Sequence, residues 1–527
     1  AALGTRDKND DWKQHFADTY LEGYKLGDPD LIESLVKKAP DSVIEIDNWG
    51  ANFARTKNNS IDQRYFGAHT YRRTCYSGDF TGKAILEALI NKTNELNIPI
   101  QDDEYVYEIL IRNDKCIGAA SFNKRSGIRT IHKAKSVVLA AGGHTKIWQR
   151  SSSRKGENTG DGFYLGLNAG CSLIDMEMVQ FHPTGLLYPD EAIGSLVTEA
   201  VRGEGGILKN INGERFMVRY DKERMELSTR DKVAKAIYNE IQEHRCSKRG
   251  GVYLDVSHLS KDIILDKLPT ILKKVLDLQM IDMREEPIEV APTAHYSMGG
   301  IAVNHVDHST GIKGLYAAGE VAGGLHGANR LGGNSLAEIL VFGEIAGNSA
   351  AEHSKNTNYN LNFDNVILDN NNDINQIMKD GTQDINYLLN ELAEIMWFSC
   401  GVVRNANNME VGLKNLDKLK TLSNEVRIDI NKNGYEALVK AFELKASIIS
   451  AEATLISAIA RKESRGAHQR SDHNSTDQSE LLNYRVKGDS KNGLRLDTLK
   501  TKELNTDSLK CIENTKEIND LKGKLIE

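Results

Sequence analysis

No apolar run in this 527-residue chain comes near the roughly 20 residues needed to cross a bilayer, and stretches such as Ser136-Val-Val-Leu-Ala-Ala141 are far shorter. No basic, apolar, small-residue signal opens the chain either. Both absences predict a soluble, cytoplasm-facing protein. Neither sign of charge dominates: 67 basic residues stand against 74 acidic ones, for a net charge of −7, so a nucleic-acid partner is not expected. The six cysteines, Cys75, Cys116, Cys171, Cys246, Cys400 and Cys511, are scattered without a CxxC pair. They seed no zinc or iron–sulfur site, no metal ligand is assigned, and any cluster belongs to another chain. Cys75, in the polar, Gly-containing Arg73-Thr-Cys-Tyr-Ser-Gly-Asp79, reads as a buried inert thiol.

What is present is enough for several cores, since 527 residues exceed what one domain usually holds. Residues 1–177 mix amphipathic helix with short strands. Ala84-Ile-Leu-Glu-Ala-Leu-Ile90 has helical spacing, Tyr105–Arg112 and Ile117–Phe122 suggest a hairpin, and Ser136–Ala141 reads as a buried strand ending in Gly142-Gly143. Residues 178–293 turn to charged helices such as Asp231–Glu243 and short strands such as Gly251–Val256, the pattern of an inserted cap. A strand-to-helix unit resumes over 294–354, where Gly314–Ala318 precedes a helix opened by Asn334-Ser335. Residues 355–378 read as an Asn-rich linker. Residues 379–470 read as a helical bundle, with Leu388, Leu392, Ile395 and Met396 on one face and Phe442, Ile449 and Ile456 recurring in a second helix. The polar stretch 471–527 reads as a surface-wrapping extension.

Four segments place polar residues among glycines and prolines, where a core element would not: Gln180-Phe-His-Pro-Thr-Gly185, Val197-Thr-Glu-Ala-Val-Arg-Gly-Glu-Gly-Gly206, Thr293-Ala-His-Tyr-Ser-Met-Gly-Gly300, and Leu325-His-Gly-Ala-Asn-Arg-Leu-Gly-Gly-Asn-Ser-Leu336. Singly, each histidine is more often structural than functional. Together the segments propose a donor-rich site of His182, Thr198, His295, Arg230 and Arg330, with Glu199 as a proton carrier. Guanidinium forks match carboxylates and stay charged at any working pH, so the natural ligand is a small dicarboxylate. The last segment lets backbone approach a flat ligand and aims a positive helix end at it.

In their order and spacing these segments resemble the succinate dehydrogenase and fumarate reductase flavoprotein family. The similarity runs over most of the chain, through Ala2-Leu-Gly-Thr-Arg6, Arg73-Thr-Cys75, Asn158-Thr-Gly-Asp-Gly162 and Glu463-Ser-Arg-Gly-Ala-His-Gln469, and such co-occurrence is far more specific than one glycine pattern. The resemblance implies an α/β FAD-binding domain interrupted by an α+β capping domain, then a helical bundle domain and a C-terminal extension. It implies FAD as cofactor, with Asp161, Glu320, Ser335 and Leu336 as flavin contacts. His182, Thr198, Glu199, His295 and Arg330 resemble the substrate-binding set, and Arg230, in Ser228-Thr-Arg-Asp231, resembles the arginine that carries the proton. The implied activity interconverts succinate and fumarate by hydride transfer at flavin N5. Electrons would pass to an iron–sulfur subunit, with membrane-anchor subunits behind it and the assembly peripheral on the inner face of the cell membrane. The alternative is an L-aspartate oxidase-type soluble flavoenzyme, which shares the His-Pro-Thr and Arg-Gly-Glu-Gly segments and which Gly67-Ala-His-Thr-Tyr-Arg-Arg73 also resembles.

The chain departs from the family at its start. A dinucleotide-binding flavoprotein opens with a strand, a GxGxxG turn and a helix, whereas Ala1 resembles a point just past that unit and past the histidine that carries covalent flavin in membrane-bound members. The expectation is a Rossmann-like domain without its first βαβ unit, begun roughly 50 residues late by that resemblance, and weak retention of FAD by the polypeptide as it stands.

Overall fold

The structure, a computed structural model, describes residues 1–358, 378, 381–430, 434–479 and 481–525, the side chains from 516 onward excepted. The linker expected at 355–378 therefore lies almost wholly outside the described residues.

The α/β part is organised around two strands far apart in sequence. Val137–Leu139 runs parallel to Leu315–Ala317, pairing Val137 with Leu315 and Leu139 with Ala317, which is where the sequence placed strands on either side of the insertion. The helix Asn334–Asn356 follows, burying Ala337, Val341, Phe342, Ile345, Ala346 and Ala350 at helical spacing against Leu31, Leu35 and Val36 of the helix Pro29–Ile46. Its opening differs from expectation. Neither Asn334 nor Ser335 caps it; the capping position is Gly333, at φ +86° with no side-chain cap, a conformation that favours glycine. Both polar side chains turn sideways instead. Asn334 Nδ2 donates to Thr19 Oγ1 at 3.0 Å and its Oδ1 meets His15 Nε2 at 2.9 Å, while Ser335 Oγ accepts from Arg330 Nη1 at 3.0 Å.

The expected hairpin is Glu104–Arg112 against Lys115–Asn123, extended by a third strand, Arg129–Lys133. A four-stranded antiparallel sheet orders Val179–Leu186, Ile288–Ser297, Val252–Asp255 and Ile207–Lys209 side by side. It is covered by the helix Arg230–Gln242, which packs Val233, Ala236 and Ile237 into the same core as Leu186, Leu208, Leu254 and Val290. The helical part is the trio Ile385–Ser399, Ala406–Leu422 and Glu436–Ala460, whose shared core holds Leu388, Leu392, Met396, Leu416, Leu444 and Leu455.

The polar tail is more regular than its composition suggested. Leu482–Asp489 pairs antiparallel with Gly493–Lys500 and with Leu173–Ile174, and a helix, Thr506–Leu525, follows. Of the hairpin's residues only Asn483 and Val486 are buried, so the alternation that normally betrays a strand was too shallow to read.

Where tail, bundle and α/β part meet, the buried Arg461 gathers three carboxylates. Its Nε donates to Glu177 Oε1 at 2.6 Å, Nη1 to Glu463 Oε1 at 3.0 Å, and Nη2 lies 3.4 Å from Asp175 Oδ1. Burial, then the neighbouring Glu177, pushes the Asp175 carboxyl up to about 7. Removing one partner of such a cluster leaves uncompensated charge in dry surroundings, at a cost of about 3–5 kcal/mol. Arg461→Ala is expected to lower the thermal unfolding midpoint by about 3–5 °C, and Arg461→Lys, which keeps the charge, by clearly less; equal midpoints for the two variants would show that the charge does not matter there.

Candidate active site

The site grows from two neighbouring strands of the antiparallel sheet. On Val179–Leu186, residues two apart share a face, which puts Gln180, His182 and Thr184 together. On Ile288–Ser297 the register shifts between Ala294, paired with Phe181, and Tyr296, paired with Gln180. His295 is the extra residue of that bulge, and bulges re-aim side chains in this way. Its ring comes to rest 5.2 Å from that of His182, edge to face, with His295 Nδ1 2.9 Å from Ser152 Oγ. Burial, and then nearby guanidinium groups for His182 or His182 itself for His295, hold both imidazoles well below their ordinary pKa. They are neutral at physiological pH.

Two arginines converge on the same strand from other elements. Arg230, first residue of its helix, donates from Nη1 to Gln180 Oε1 at 2.9 Å; Arg330, from a glycine-rich loop, donates from Nη2 to the same oxygen at 3.0 Å. The Arg330 guanidinium also lies 4.2 Å from the Tyr296 ring centre, and its Nε is buried with no hydrogen-bond partner. Burial first, and Arg230 second, lower Arg330 to about 10, still charged at neutral pH.

Glu199 balances Arg230. Its Oε2 accepts from Arg230 Nε at 2.8 Å and Nη2 at 2.6 Å, and its Oε1 accepts from the Gly67 backbone at 3.0 Å. Burial alone would raise this carboxyl, but Arg230 and Arg202 hold it at about 2. Thr198 caps the short helix Glu199–Gly203, accepting from the Ala200 backbone at 3.4 Å. Glu199 also lines a cleft of about 590 Å³ together with Arg64, Phe66, His69 and Arg224.

The six residues expected to act on substrate thus fall in one neighbourhood. The four expected cofactor contacts divide. Ser335 and Leu336 sit on the first turn of Asn334–Asn356, Leu336 at a cavity of about 100 Å³. Glu320 accepts from the Ser297 backbone at 2.9 Å and is pushed up to about 7 by burial. Asp161 lies in a separate cluster, its carboxylate engaged by the Tyr105 and Thr159 hydroxyls. Sequence reasoning passed over Gln180 and Arg202. Gln180 stands two residues before His182, hence on its strand face, and Arg202 stands three after Glu199, hence on its helix face, within 3.9 Å; those spacings were the available signal.

Comparison with known proteins places the chain in a family. The FAD binding domain family matches residues 1–336, and the fumarate reductase flavoprotein C-term family matches residues 389–516. A chain of the fumarate reductase (CoM/CoB) from Methanothermobacter marburgensis is 42% identical over 90% of this chain and 85% of its own. The chain belongs to the succinate dehydrogenase and fumarate reductase flavoprotein family. An uncharacterized FAD-dependent oxidoreductase of Methanocaldococcus jannaschii is 44% identical over 91% of this chain and 87% of its own. Among solved structures, a quinol fumarate reductase chain from E. coli superimposes with a TM-score of 0.89 at 34% identity, covering 94% of this chain and 88% of that one. The family is one of FAD oxidoreductases, and the expected fold class holds.

The residues around one small cavity suit part of an FAD molecule. The cavity of about 100 Å³ is walled by His15, His69, Thr74, Gly332, Gly333, Asn334 and Leu336, and His15 Nδ1, His69 Nδ1 and Thr74 Oγ1 are buried there without hydrogen-bond partners. Orphaned buried atoms of this kind call for a ligand or water. The helix end at Gly333, uncapped by any side chain, turns its positive dipole toward the same space. Farther along, a Cβ on Gly143 would lie 2.3 Å from Ser297 Oγ and 2.5 Å from Glu320 Oε1, so only glycine allows that close approach.

Neutral burial of His182 and His295 has a sign. The unfolded chain takes up protons near pH 6.5 and the folded site refuses them, so their contribution is complete above about 6.5 and is lost below it, at up to about 1.4 kcal/mol per pH unit for each. In ¹⁵N-histidine-labelled protein the ring nitrogens of these two residues, assigned through His182→Asn and His295→Asn, should show no imidazolium signature down to pH 5.5. Protonation between pH 7 and 5.5 would contradict the burial argument.

Proposed function

We propose that this chain interconverts succinate and fumarate, holding the dicarboxylate between Arg330, Arg230, His182, His295 and Thr198. The observation that carries the reading is the convergence of two guanidinium groups on one neutral oxygen, Gln180 Oε1, beside two uncharged imidazoles. The names of the relatives support it. When bound, FAD supplies the two-electron chemistry, taking hydride from one substrate carbon or giving it to one.

The chain's own residues do the rest. Arginine forks take the carboxylates bidentately, and neutral His182 and His295 donate to them without adding charge. In the fumarate-reducing direction, Arg230 gives a proton to the carbon that does not receive hydride. An arginine is an acid only if it is reprotonated at once, since its pKa is above about 12. Glu199 is built for that: one carboxylate oxygen is on Arg230 and the other faces Gly67, in a residue that lines the open cleft. Arg202, 3.9 Å from Glu199, helps keep it ionised between proton passages. In the succinate-oxidising direction the same groups remove the proton. Ser335, Leu336, Glu320 and Asp161 would hold the flavin.

Relatives are named as subunits, which supports the existence of partner subunits; the proposal makes one of them an iron–sulfur protein that takes the electrons onward. Among the described residues no helix is long and apolar enough to cross a membrane; attachment to a membrane through partner subunits is part of the same proposal.

In FAD-loaded protein held anaerobically, succinate is expected to bleach the flavin band near 450 nm, about where any oxidised flavin absorbs, and malonate to block the bleaching. Bleaching by L-aspartate and not by succinate would move the chain to the oxidase alternative. Arg230→Lys should lower kcat by on the order of 10²- to 10⁴-fold with FAD content retained; an unchanged kcat would remove Arg230 from proton transfer.

A further inference from the structure

Gln180 is fully buried and makes every hydrogen bond its amide allows. Oε1 accepts from Arg230 Nη1 at 2.9 Å and Arg330 Nη2 at 3.0 Å; Nε2 donates to Asn329 Oδ1 at 2.8 Å and to the Arg330 carbonyl at 3.0 Å. Asn329, also buried, is held in turn by two acids. Its Nδ2 donates to Glu22 Oε1 at 2.7 Å and Asp231 Oδ1 at 3.0 Å, and Asp231 Oδ2 accepts from the Tyr24 hydroxyl at 2.8 Å.

The direction of this ladder is unambiguous. Two acceptor acids fix the Asn329 amide with its NH₂ toward them, which leaves its oxygen toward Gln180. That fixes the Gln180 NH₂, and its oxygen is left for the two cations. Flipping Gln180 would set its NH₂ against the two guanidinium groups, and flipping Asn329 would set its NH₂ against that of Gln180 and its oxygen against the two acids. Four separate elements are tied together: the end of the helix Trp12–Glu22, the start of Arg230–Gln242, the loop carrying Asn329 and Arg330, and the strand Val179–Leu186.

We propose that Gln180, oriented by Asn329, is a positioning residue that sets the separation of the Arg230 and Arg330 guanidinium groups and thereby the length of dianion the site accepts. Two like charges in a buried place repel, and a single shared oxygen keeps both forks within reach of one another. A shorter or longer dicarboxylate meets the same fixed span with its two ends at a different spacing. Replacing the oxygen by an apolar group lets the cations part, whereas replacing the amide by a carboxylate draws both onto the new charge. The two substitutions therefore shift selectivity in opposite directions, which general loosening of the fold would not do.

The inference rests on the dicarboxylate reading above. Its test is calorimetric binding of malonate, succinate and glutarate to FAD-loaded wild type, Gln180→Met and Gln180→Glu, with FAD content and unfolding midpoint followed in parallel. Relative to wild type, the succinate-to-glutarate affinity ratio is expected to fall at least about fivefold in Gln180→Met and to rise by a similar factor in Gln180→Glu. Because Gln180→Glu is isosteric, it gives a decision even if Gln180→Met folds poorly. Asn329→Ser should move the ratio in the Met direction. Ratios that stay at the wild-type value, or that move the same way in both Gln180 variants, would overturn the positioning role. Wild type that binds none of the three dianions would instead overturn the functional reading.

Discussion

Positive charge gathered where water is scarce is the constraint on which the rest of the site depends. Arg330 is 3% exposed, and its partners in the site are the neutral Gln180 oxygen, the Ser335 hydroxyl and the Tyr296 ring. Arg230 has Glu199, but Glu199 is also shared with Arg202. Adding two imidazolium ions to this group would be costly, and burial keeps His182 and His295 neutral. A small dianion is the ligand that completes such a charge balance, since buried charges are tolerated when paired and hydrogen-bonded.

Holding like charges together requires a frame that cannot relax, and several features of the fold supply it. The register shift at His295 turns two successive residues of one strand to the site, one to face His182 and the next to lie under Arg330. Tyr296 is in turn anchored through its hydroxyl to the buried Glu338, which His326 also contacts at 2.8 Å. On the opposite side, Arg73 is locked between Asp10 and Asp18 at 2.8 and 2.7 Å at the wall of the small cavity beside Gly333. Farther out, Arg461 binds tail, bundle and α/β part at one buried point. Apart from the register shift, each feature is a polar contact that pins elements of distant sequence, and such contacts specify one arrangement where apolar packing alone would tolerate several.

Much of this was legible in the residues themselves. The hairpin, the two parallel strands, the helix after Gly333 and the apolar face of Ile385–Ser399 follow from periodicity; five of the six expected site residues stand in segments where polar side chains sit among glycines and prolines, while the role of Arg230 rested on the resemblance of Ser228-Thr-Arg-Asp231. The cap at Gly333 was misread because Asn334 and Ser335 are good capping residues in isolation, and only tertiary partners show where they point. Gln180 escaped notice because a neutral amide carries no chemical signature; its importance lies in two arginines that approach from residues 230 and 330. The tail's hairpin was hidden by its polarity on both faces. The approach of backbone to a flat ligand was read from glycines and the flavin contacts from resemblance, while the orphaned buried atoms of His15, His69 and Thr74 are visible only in three dimensions.

If charge balance is what the site selects for, one negative charge removed from the ligand should be felt far more than a small change in its shape. The direct measurement is the affinity of FAD-loaded protein for succinate against succinamate, its near-isosteric monoamide, at constant ionic strength. Loss of one carboxylate deprives a buried guanidinium group of its partner, so succinamate is expected to bind at least about 100-fold more weakly, a difference of roughly 3 kcal/mol. Equal affinity for the two would contradict a site built on paired buried charge.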